Sequence, residues 1–409
     1  MKTAGHAGSA EAATRWTPAG LATVTLCFII NMADGVDVTI LSYIAPRLQS
    51  EWTLDSETLG LLFSAGLLGM AIGGMLVAPQ ADRFGRRPVI LVALACMSVG
   101  SLACTYAQHW TQLLVLRVLV GTGIGTVLAA MAALAAESAP ARHRDLAVGI
   151  VQAGYPFAAI FSGLFAAHLL PVYGWRVMMF GAGLLTLVLM PAAWAIIPGR
   201  RAGGFGAAGK VRLGELFAPE YRARTFALWG AVFFGLMVLY FIVSWIPKLA
   251  IEAGLSEANG IYVGAIYNVG AFAGTSLMSV LTTWVRPRVL VPVMLTGAGA
   301  ALLVFGGIAM PIALMLVVAT LIGILLQGGY NGVWPIAAAA YPAPIRATAV
   351  GWAIGVGRAG AIAGPFMGGV LLAAHVSLFM LFLAFCLPLA ACALCAALVQ
   401  RDASEERIN

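Results

Sequence analysis

Two aspartates stand inside the first long apolar stretch, in the run Asn31-Met-Ala-Asp-Gly-Val-Asp-Val-Thr-Ile40. A carboxylate at mid-bilayer costs about 2.5–3.5 kcal/mol on translocon-derived scales, so its presence needs a reason. At i, i+3 on a helix, Asp34 and Asp37 stack on one face about 4.5 Å apart along the axis. Facing lipid they would be intolerable; facing a polar cavity they can take up and release protons. Acids this close titrate as a coupled pair, so the proton is assigned to neither alone. The competing reading is structural, with both bonded to neighbouring helices.

Arg117 and Arg358 are the other charges well inside apolar stretches, away from their ends. Two acids and two arginines leave these four residues neutral before any substrate enters. An anion arriving with at least one proton keeps the loaded cavity near neutrality, which favours proton–anion symport over anion uniport. The planar fork of arginine suits a carboxylate because it bonds both oxygens. Arg117 is expected to tune Asp34 or Asp37 electrostatically.

The elements that must position these groups are membrane spans. The chain has 409 residues, 61% hydrophobic and only 10% charged, with a mean hydropathy of +0.96; an ordinary soluble domain carries about 25% charged residues. Apolar blocks long enough to span recur at about 19–48, 57–80, 87–107, 109–137, 144–169, 174–198, 223–251, 258–283, 287–309, 311–342, 345–373 and 376–400. Continuous runs exclude a β-barrel, whose strands alternate. The expected fold class is therefore an all-α membrane protein of about twelve helices. No signal peptide with a cleavage site stands out, so the first span is expected to be retained.

Most of the 23 Lys and Arg residues fall between spans on one side, whereas Arg47, Arg176 and Lys248 fall on the other. The positive-inside rule then puts both termini in the cytoplasm. The net charge of +7 reports topology and carries no implication of nucleic-acid binding. The six cysteines lie in or near apolar spans, including Cys392-Ala-Leu-Cys395, and read as space-filling. The five histidines are scattered without metal-ligand spacing, so neither a metal nor a cofactor is expected.

The Gly-rich, basic stretch from Gly199 divides the spans six and six and reads as a flexible linker. This gives an N-terminal tail 1–18, a six-helix bundle 19–198, a cytoplasmic linker 199–222, a second bundle 223–400 and a tail 401–409. The halves echo each other: Ala139-Pro-Ala-Arg-His-Arg-Asp-Leu-Ala-Val-Gly149 is similar to Ala343-Pro-Ile-Arg-Ala-Thr-Ala-Val-Gly351, each joining the fourth and fifth spans of its half. Such repeats mark transporters whose site lies near the midplane between repeats.

The loop Ala81-Asp-Arg-Phe-Gly-Arg-Arg87 resembles the signature loop of the major facilitator superfamily, with Ala78 where that motif opens on Gly. Arg117-Val-Leu-Val-Gly-Thr-Gly-Ile-Gly125 is similar to the superfamily's fourth-helix motif. Within it, Asp34-Gly-Val-Asp37 followed by Tyr43-Ile-Ala-Pro46 resembles the aromatic acid/proton symporter family, with Val36 replacing the usual aromatic. Arg346-Ala-Thr-Ala-Val-Gly-Trp352 and Gly357-Arg-Ala-Gly-Ala-Ile-Ala-Gly-Pro365 support it. The resemblance implies two six-helix bundles rocking about a central site, with Arg358 as a substrate-carboxylate ligand. A structural ion pair or a gate is the alternative for Arg358.

The resemblance also implies a gate built from Asp82, Arg83, Gly85, Arg86 and Arg87. Asp82 could dock on the N-terminus of the eleventh span near Arg346, where the helix dipole places about half a positive charge. Glu137, near the cytoplasmic end of the fourth span, is expected to pair with Arg142 or Arg144, with proton release as the alternative. Ring-binding walls are sought among Tyr240, Phe241 and Trp245, then Tyr267 and Asn268, then Gln327, Tyr330, Asn331 and Trp334; Gln327 and Asn331 share a face at i, i+4. Gly69 with Gly73, and Gly360 with Gly364 and Gly368, follow the small-xxx-small spacing of close helix contact and are expected where helices slide during rocking.

The expected function is proton-coupled import of an organic anion across the inner or plasma membrane, with an aromatic carboxylate of the benzoate or hydroxybenzoate type as first choice. Nicotinate, a dicarboxylate or a sugar acid is the near alternative. Drug/proton antiport is further off, because Gly154-Tyr-Pro156 lacks the fuller Gly-Pro-Gly-Gly pattern. An embedded enzyme would need a nucleophile–base or metal constellation, and none is visible. The partners are the substrate, protons and the bilayer, with the monomer as the working unit.

Overall fold

The computed structural model describes residues 16–199 and 213–405, and among them the secondary structure is helical, without strands. Among the described residues, eleven helices are long and apolar enough to cross a membrane. One of them, Arg144–Ile196, is two spans joined across Gly174 (φ 75°, ψ 176°), which brings the crossings to twelve. That backbone conformation is open to glycine and strained for other residues. The single residue therefore separates the fifth span (144–173) from the sixth (175–196).

The remaining spans are Pro18–Trp52, Ser56–Val77, Arg86–Cys104 and Trp110–Ser138 in the first half, then Arg222–Glu252, Glu257–Leu281, Pro287–Gly307, Ile312–Ala340, Ala343–Ala373 and Leu378–Glu405 in the second. Short polar caps start several of them. Thr17 accepts from the Gly20 N–H ahead of Pro18, Asp55 from Thr58, and Ser256 from Asn259, satisfying backbone donors that a helix start leaves open. The first span runs four residues beyond its expected end at 48, and the last helix continues past 400 to Glu405. Most of the linker falls outside the described residues; the chain resumes in a turn of 3-10 helix, Leu213–Phe217, before the seventh span.

The two halves pack alike. The first span lies on the fifth as the seventh lies on the eleventh; the second meets the fourth as the eighth meets the tenth; the third meets the sixth as the ninth meets the twelfth. Between halves, the second span rests on the eleventh and the fifth on the eighth. These are the pairings that a two-fold relation between repeats demands.

An even number of crossings puts the start of the first span and the end of the twelfth on one face, the terminal face. Among the described residues, the polar links between halves gather toward the far face. Arg47 grips Glu257 with two bonds of 2.7 and 2.6 Å. Lys248 reaches Ser56 at 2.9 Å, and Ser64 donates to the Ile362 carbonyl at 2.7 Å. Phe63 meets Trp245 edge-on, ring centres 5.2 Å apart, and the Trp245 indole donates to the Pro365 carbonyl at 3.0 Å. The far face is closed by this seam.

The glycine stripes work elsewhere than expected. Gly69 and Gly73 face the fourth span at Val118 and Thr122, and Gly360 and Gly364 face the seventh at Phe233 and Met237. These contacts lie inside each half, where backbones approach closely. The surface between halves on the second span is carried instead by Ser56, Gly60 and Ser64 against Ile362, Pro365 and Gly369.

A candidate substrate and proton pathway between the halves

The first span brings Asp34 and Asp37 to one buried face, 0% and 3% exposed. Gly35 between them makes this possible. A Cβ there would stand 2.5 Å from the Tyr155 carbonyl oxygen, so only glycine lets the first span lie this close to the fifth. One turn further, Thr39 donates to the Gly35 carbonyl at 2.7 Å and meets the Ser162 hydroxyl at 2.8 Å. Tyr43 donates to the Ala159 carbonyl at 3.1 Å. The acidic turn is thus held against the fifth span.

The two acids have different surroundings. Asp37 accepts from Arg117 at 3.2 Å and from the Ser101 hydroxyl at 2.7 Å. Arg117 also lies 3.4 Å from Ser101 Oγ and 3.6 Å from Cys104 Sγ. All of these side chains are buried. Both oxygens of Asp34 are buried without a hydrogen-bond partner among the described residues. Its charged neighbours are Asp37 and Arg358.

Asp37 and Arg117 border a small cavity, which Phe63 and Leu67 of the second span and Tyr240 and Ser244 of the seventh also line. Tyr155 of the fifth span has Asp34, Tyr43, Tyr240 and Tyr267 as polar neighbours. Tyr330 has Tyr240 and Arg358. A series of phenols therefore leads from Asp34 in one half to Arg358 in the other. Arg358 is half-buried and makes no hydrogen bond or ion pair with any described residue. A guanidinium fork left free beside aromatic walls is able to bind a carboxylate on an aromatic ring.

The remaining expected residues fall into place unevenly. Tyr240 lines the cavity, and Trp334 packs edge-on against Tyr330 with centres 5.9 Å apart. The Tyr267 hydroxyl is buried and has no hydrogen-bond partner among the described residues. Gln327 is half-buried. Asn331 turns its amide to Thr275 of the eighth span at 2.8 Å, so it does not act jointly with Gln327. Asn268 spends its amide on its own helix, at the Gly264 carbonyl. Phe241 stacks flat on Phe385 at 3.6 Å, and Trp245 belongs to the far-face seam; neither is a wall of the cavity.

Glu137 pairs with Arg86 at 2.7 Å instead of with Arg142 or Arg144. The turn between the second and third spans carries Arg86 back beside the end of the fourth span, whereas Arg142 and Arg144 lie beyond Pro140 at the entry to the fifth. Arg86 also holds Asp82 at 3.4 Å. The Asp82 side chain is 75% exposed, so it is not docked on the eleventh span in this conformation. Arg346 bonds the Tyr341 carbonyl at 3.3 Å. Gly85 takes a positive φ of 95° that turns the chain, while Arg83 covers Phe84 and Arg87 covers Trp194.

Sequence reasoning passed over Ser101, Tyr155 and the Arg47–Glu257 bridge. A serine in an apolar span and a tyrosine beside a proline carry no pattern of their own. Arg47 counted only as one of few basic residues on its side.

The family model of the Major Facilitator Superfamily matches residues 27–339. A gallate transporter of Pseudomonas putida is 32% identical over 402 residues, covering 91% of this chain and 90% of its own. A 4-hydroxybenzoate transporter of Pseudomonas aeruginosa is 30% identical, covering 85% of each. Among solved structures, a D-xylose-proton symporter superposes with a TM-score of 0.76 at 15% identity, covering 91% of this chain and 96% of that one. That likeness concerns the fold. The sequence match over most of the chain, with twelve spans in two like halves around a polar centre, makes this multi-pass membrane protein a transporter belonging to the major facilitator superfamily.

Proposed function

We propose that this protein imports an aromatic carboxylate together with protons by alternating access. The observation that carries the reading is the unequal pairing of four charges deep within the spans, Asp34, Asp37, Arg117 and Arg358. Asp37 is committed to Arg117, while Asp34 lacks a hydrogen-bonding partner and the Arg358 fork is unengaged. An ion pair leaves Asp37 and Arg117 jointly neutral, so the group free to exchange a proton is Asp34 and the group free to meet an anion is Arg358. The curated relatives named for gallate and 4-hydroxybenzoate support an aromatic acid.

In this reading the terminal face is cytoplasmic, from the distribution of basic residues. The cycle begins with the far face open. A proton neutralises Asp34, the substrate carboxylate docks on Arg358, and its ring lies among Tyr240, Tyr330 and Trp334. With the added charges cancelled, the halves close over a near-neutral cavity at lower electrostatic cost. The seam of Arg47–Glu257 and Lys248–Ser56 then forms, and release to the terminal face follows. In the gate, the undocked Asp82 belongs to this inward-facing stage and docks on the eleventh span in the outward-facing one.

The test is uptake of labelled benzoate, 4-hydroxybenzoate, gallate and an aliphatic dicarboxylate into proteoliposomes, with and without an inward proton gradient. Gradient-driven accumulation of an aromatic acid is expected. Asp34→Asn should abolish accumulation while leaving substrate exchange, and Arg358→Ala should abolish both. Accumulation that ignores the gradient would remove proton coupling; accumulation of the dicarboxylate alone would remove the aromatic substrate.

A further inference from the structure

Asp34 and Asp37 are the same chemical group, one helical turn apart on one buried face, yet only one of them has partners. The first span cannot account for this by itself. Arg117 arrives from the fourth span, and a guanidinium at the end of a long side chain can serve either of two adjacent carboxylates. A third group must break the tie.

Ser101 of the third span occupies that position. Its hydroxyl donates to Asp37 Oδ1 at 2.7 Å and accepts from Arg117 Nη2 at 3.4 Å, so one side chain touches both members of the pair. It is 1% exposed. Arg117 alone contributes bonds of 3.2 and 3.5 Å to Asp37, the second at the edge of what counts as a hydrogen bond. The serine bond is thus the shortest that Asp37 accepts. The third span is itself anchored: Ser98, one turn earlier, donates to the Gly183 carbonyl of the sixth span at 3.0 Å. Ser101 is therefore presented from a fixed helix, and where it stands Asp37 and Arg117 are held.

We propose that Ser101 is a positioning residue for proton coupling. It commits Arg117 to Asp37 and by doing so keeps Asp34 free of Arg117. Without the hydroxyl, Arg117 loses an acceptor, Asp37 loses its shortest bond, and the guanidinium is divided between the two acids. A guanidinium beside Asp34 favours its carboxylate form, so Asp34 takes up a proton less readily, and transport continues but uncouples. This inference rests on the reading of Asp34 as the coupling acid.

The experiment compares Ser101→Ala, Ser101→Thr and Ser101→Val in proteoliposomes with labelled 4-hydroxybenzoate, measuring gradient-driven accumulation and gradient-free exchange side by side. Thr keeps the hydroxyl, and Val matches its shape without it. Losing a buried hydrogen bond to a charged group predicts a fall in accumulation of about tenfold or more for Ala and Val, with exchange within about twofold of the parent. Thr should restore the ratio of accumulation to exchange. Equal ratios in Thr and Val, or an Ala variant that accumulates like the parent, would overturn the proposal. Should Ala not fold, the Thr–Val pair decides alone. A parent protein that accumulates nothing under a gradient would instead defeat the symport reading, so the two failures are distinguishable.

Discussion

At the scale of single residues, Arg358 and Gly35 carry the sharpest expectations. Arg358 is expected to act through its shape as well as its charge. Arg358→Lys keeps the cation but replaces a planar fork by a point donor, so equilibrium binding of 4-hydroxybenzoate should weaken about tenfold or more, the worth of one charge-assisted hydrogen bond; near-parental affinity by calorimetry would exclude the bidentate role. Gly35→Ala adds one methyl that meets the backbone of Tyr155. The first and fifth spans must then part, at a cost of about 1–3 kcal/mol for an overpacked interior, seen as a lower melting temperature and as transport lost without any change in charge. The acidic pair was legible in the sequence because charge inside an apolar run is conspicuous. Its division of labour was not, because the residue that sets it, Ser101, is separated from Asp37 by 64 positions and looks like any small polar residue in a span.

At the scale of elements, the helices declared themselves by length and hydropathy, and most of their ends by Pro, Gly and short polar caps. Two things resisted. Gly174 is one residue among 48 glycines, and only its positive φ shows that it parts two spans with no loop between them. The partner of Glu137 depended on the return of a turn, which sequence distance hides: Arg86 is 51 residues away, Arg142 only five. Arg86 is shared, since it holds the half-buried Glu137 and the exposed Asp82. Glu137→Gln should therefore destabilise the fold by about 1–3 kcal/mol through a weakened, partly buried charge contact. Asp82→Asn should leave melting nearly unchanged, because exposed pairs contribute about 0–1 kcal/mol. If Asp82 latches the halves when it docks, the same variant should increase labelling of engineered cysteines on the terminal face. Equal destabilisation by both substitutions would contradict this division between a structural pair and a latch.

At the scale of the whole molecule, the halves are held together toward the far face by contacts of different depth. The Arg47–Glu257 bridge is outermost, with side chains 42% and 26% exposed; Lys248 and the Phe63–Trp245 contact lie behind it, buried. Arg47 and Glu51 sit one turn apart at the end of the first span, and Glu51 is fastened within its own half to Arg176 at 2.8 Å and to the Trp175 indole at 2.6 Å. The end of the first span is thus stiffly mounted on one half while it grips the other. Arg47→Ala and Glu257→Ala should each raise labelling of far-face cysteines, and the double variant should do no more than either alone, since one interaction is removed in all three. Additive effects would mean that the two residues act separately.

That exposed bridge has a consequence for how the protein responds to the solution outside it. Dissolved ions reach Arg47 and Glu257 but not the apolar layer beneath. The range of electrostatic attraction shrinks from about 8 Å at physiological ionic strength to about 3 Å at 1 M. Concentrated electrolyte on the far side therefore loosens the outer fastening alone and tilts the balance toward opening there, by no more than about 1 kcal/mol for a surface pair. Electrolyte on the far side thus becomes a weak effector of the transport cycle, acting without any binding site of its own.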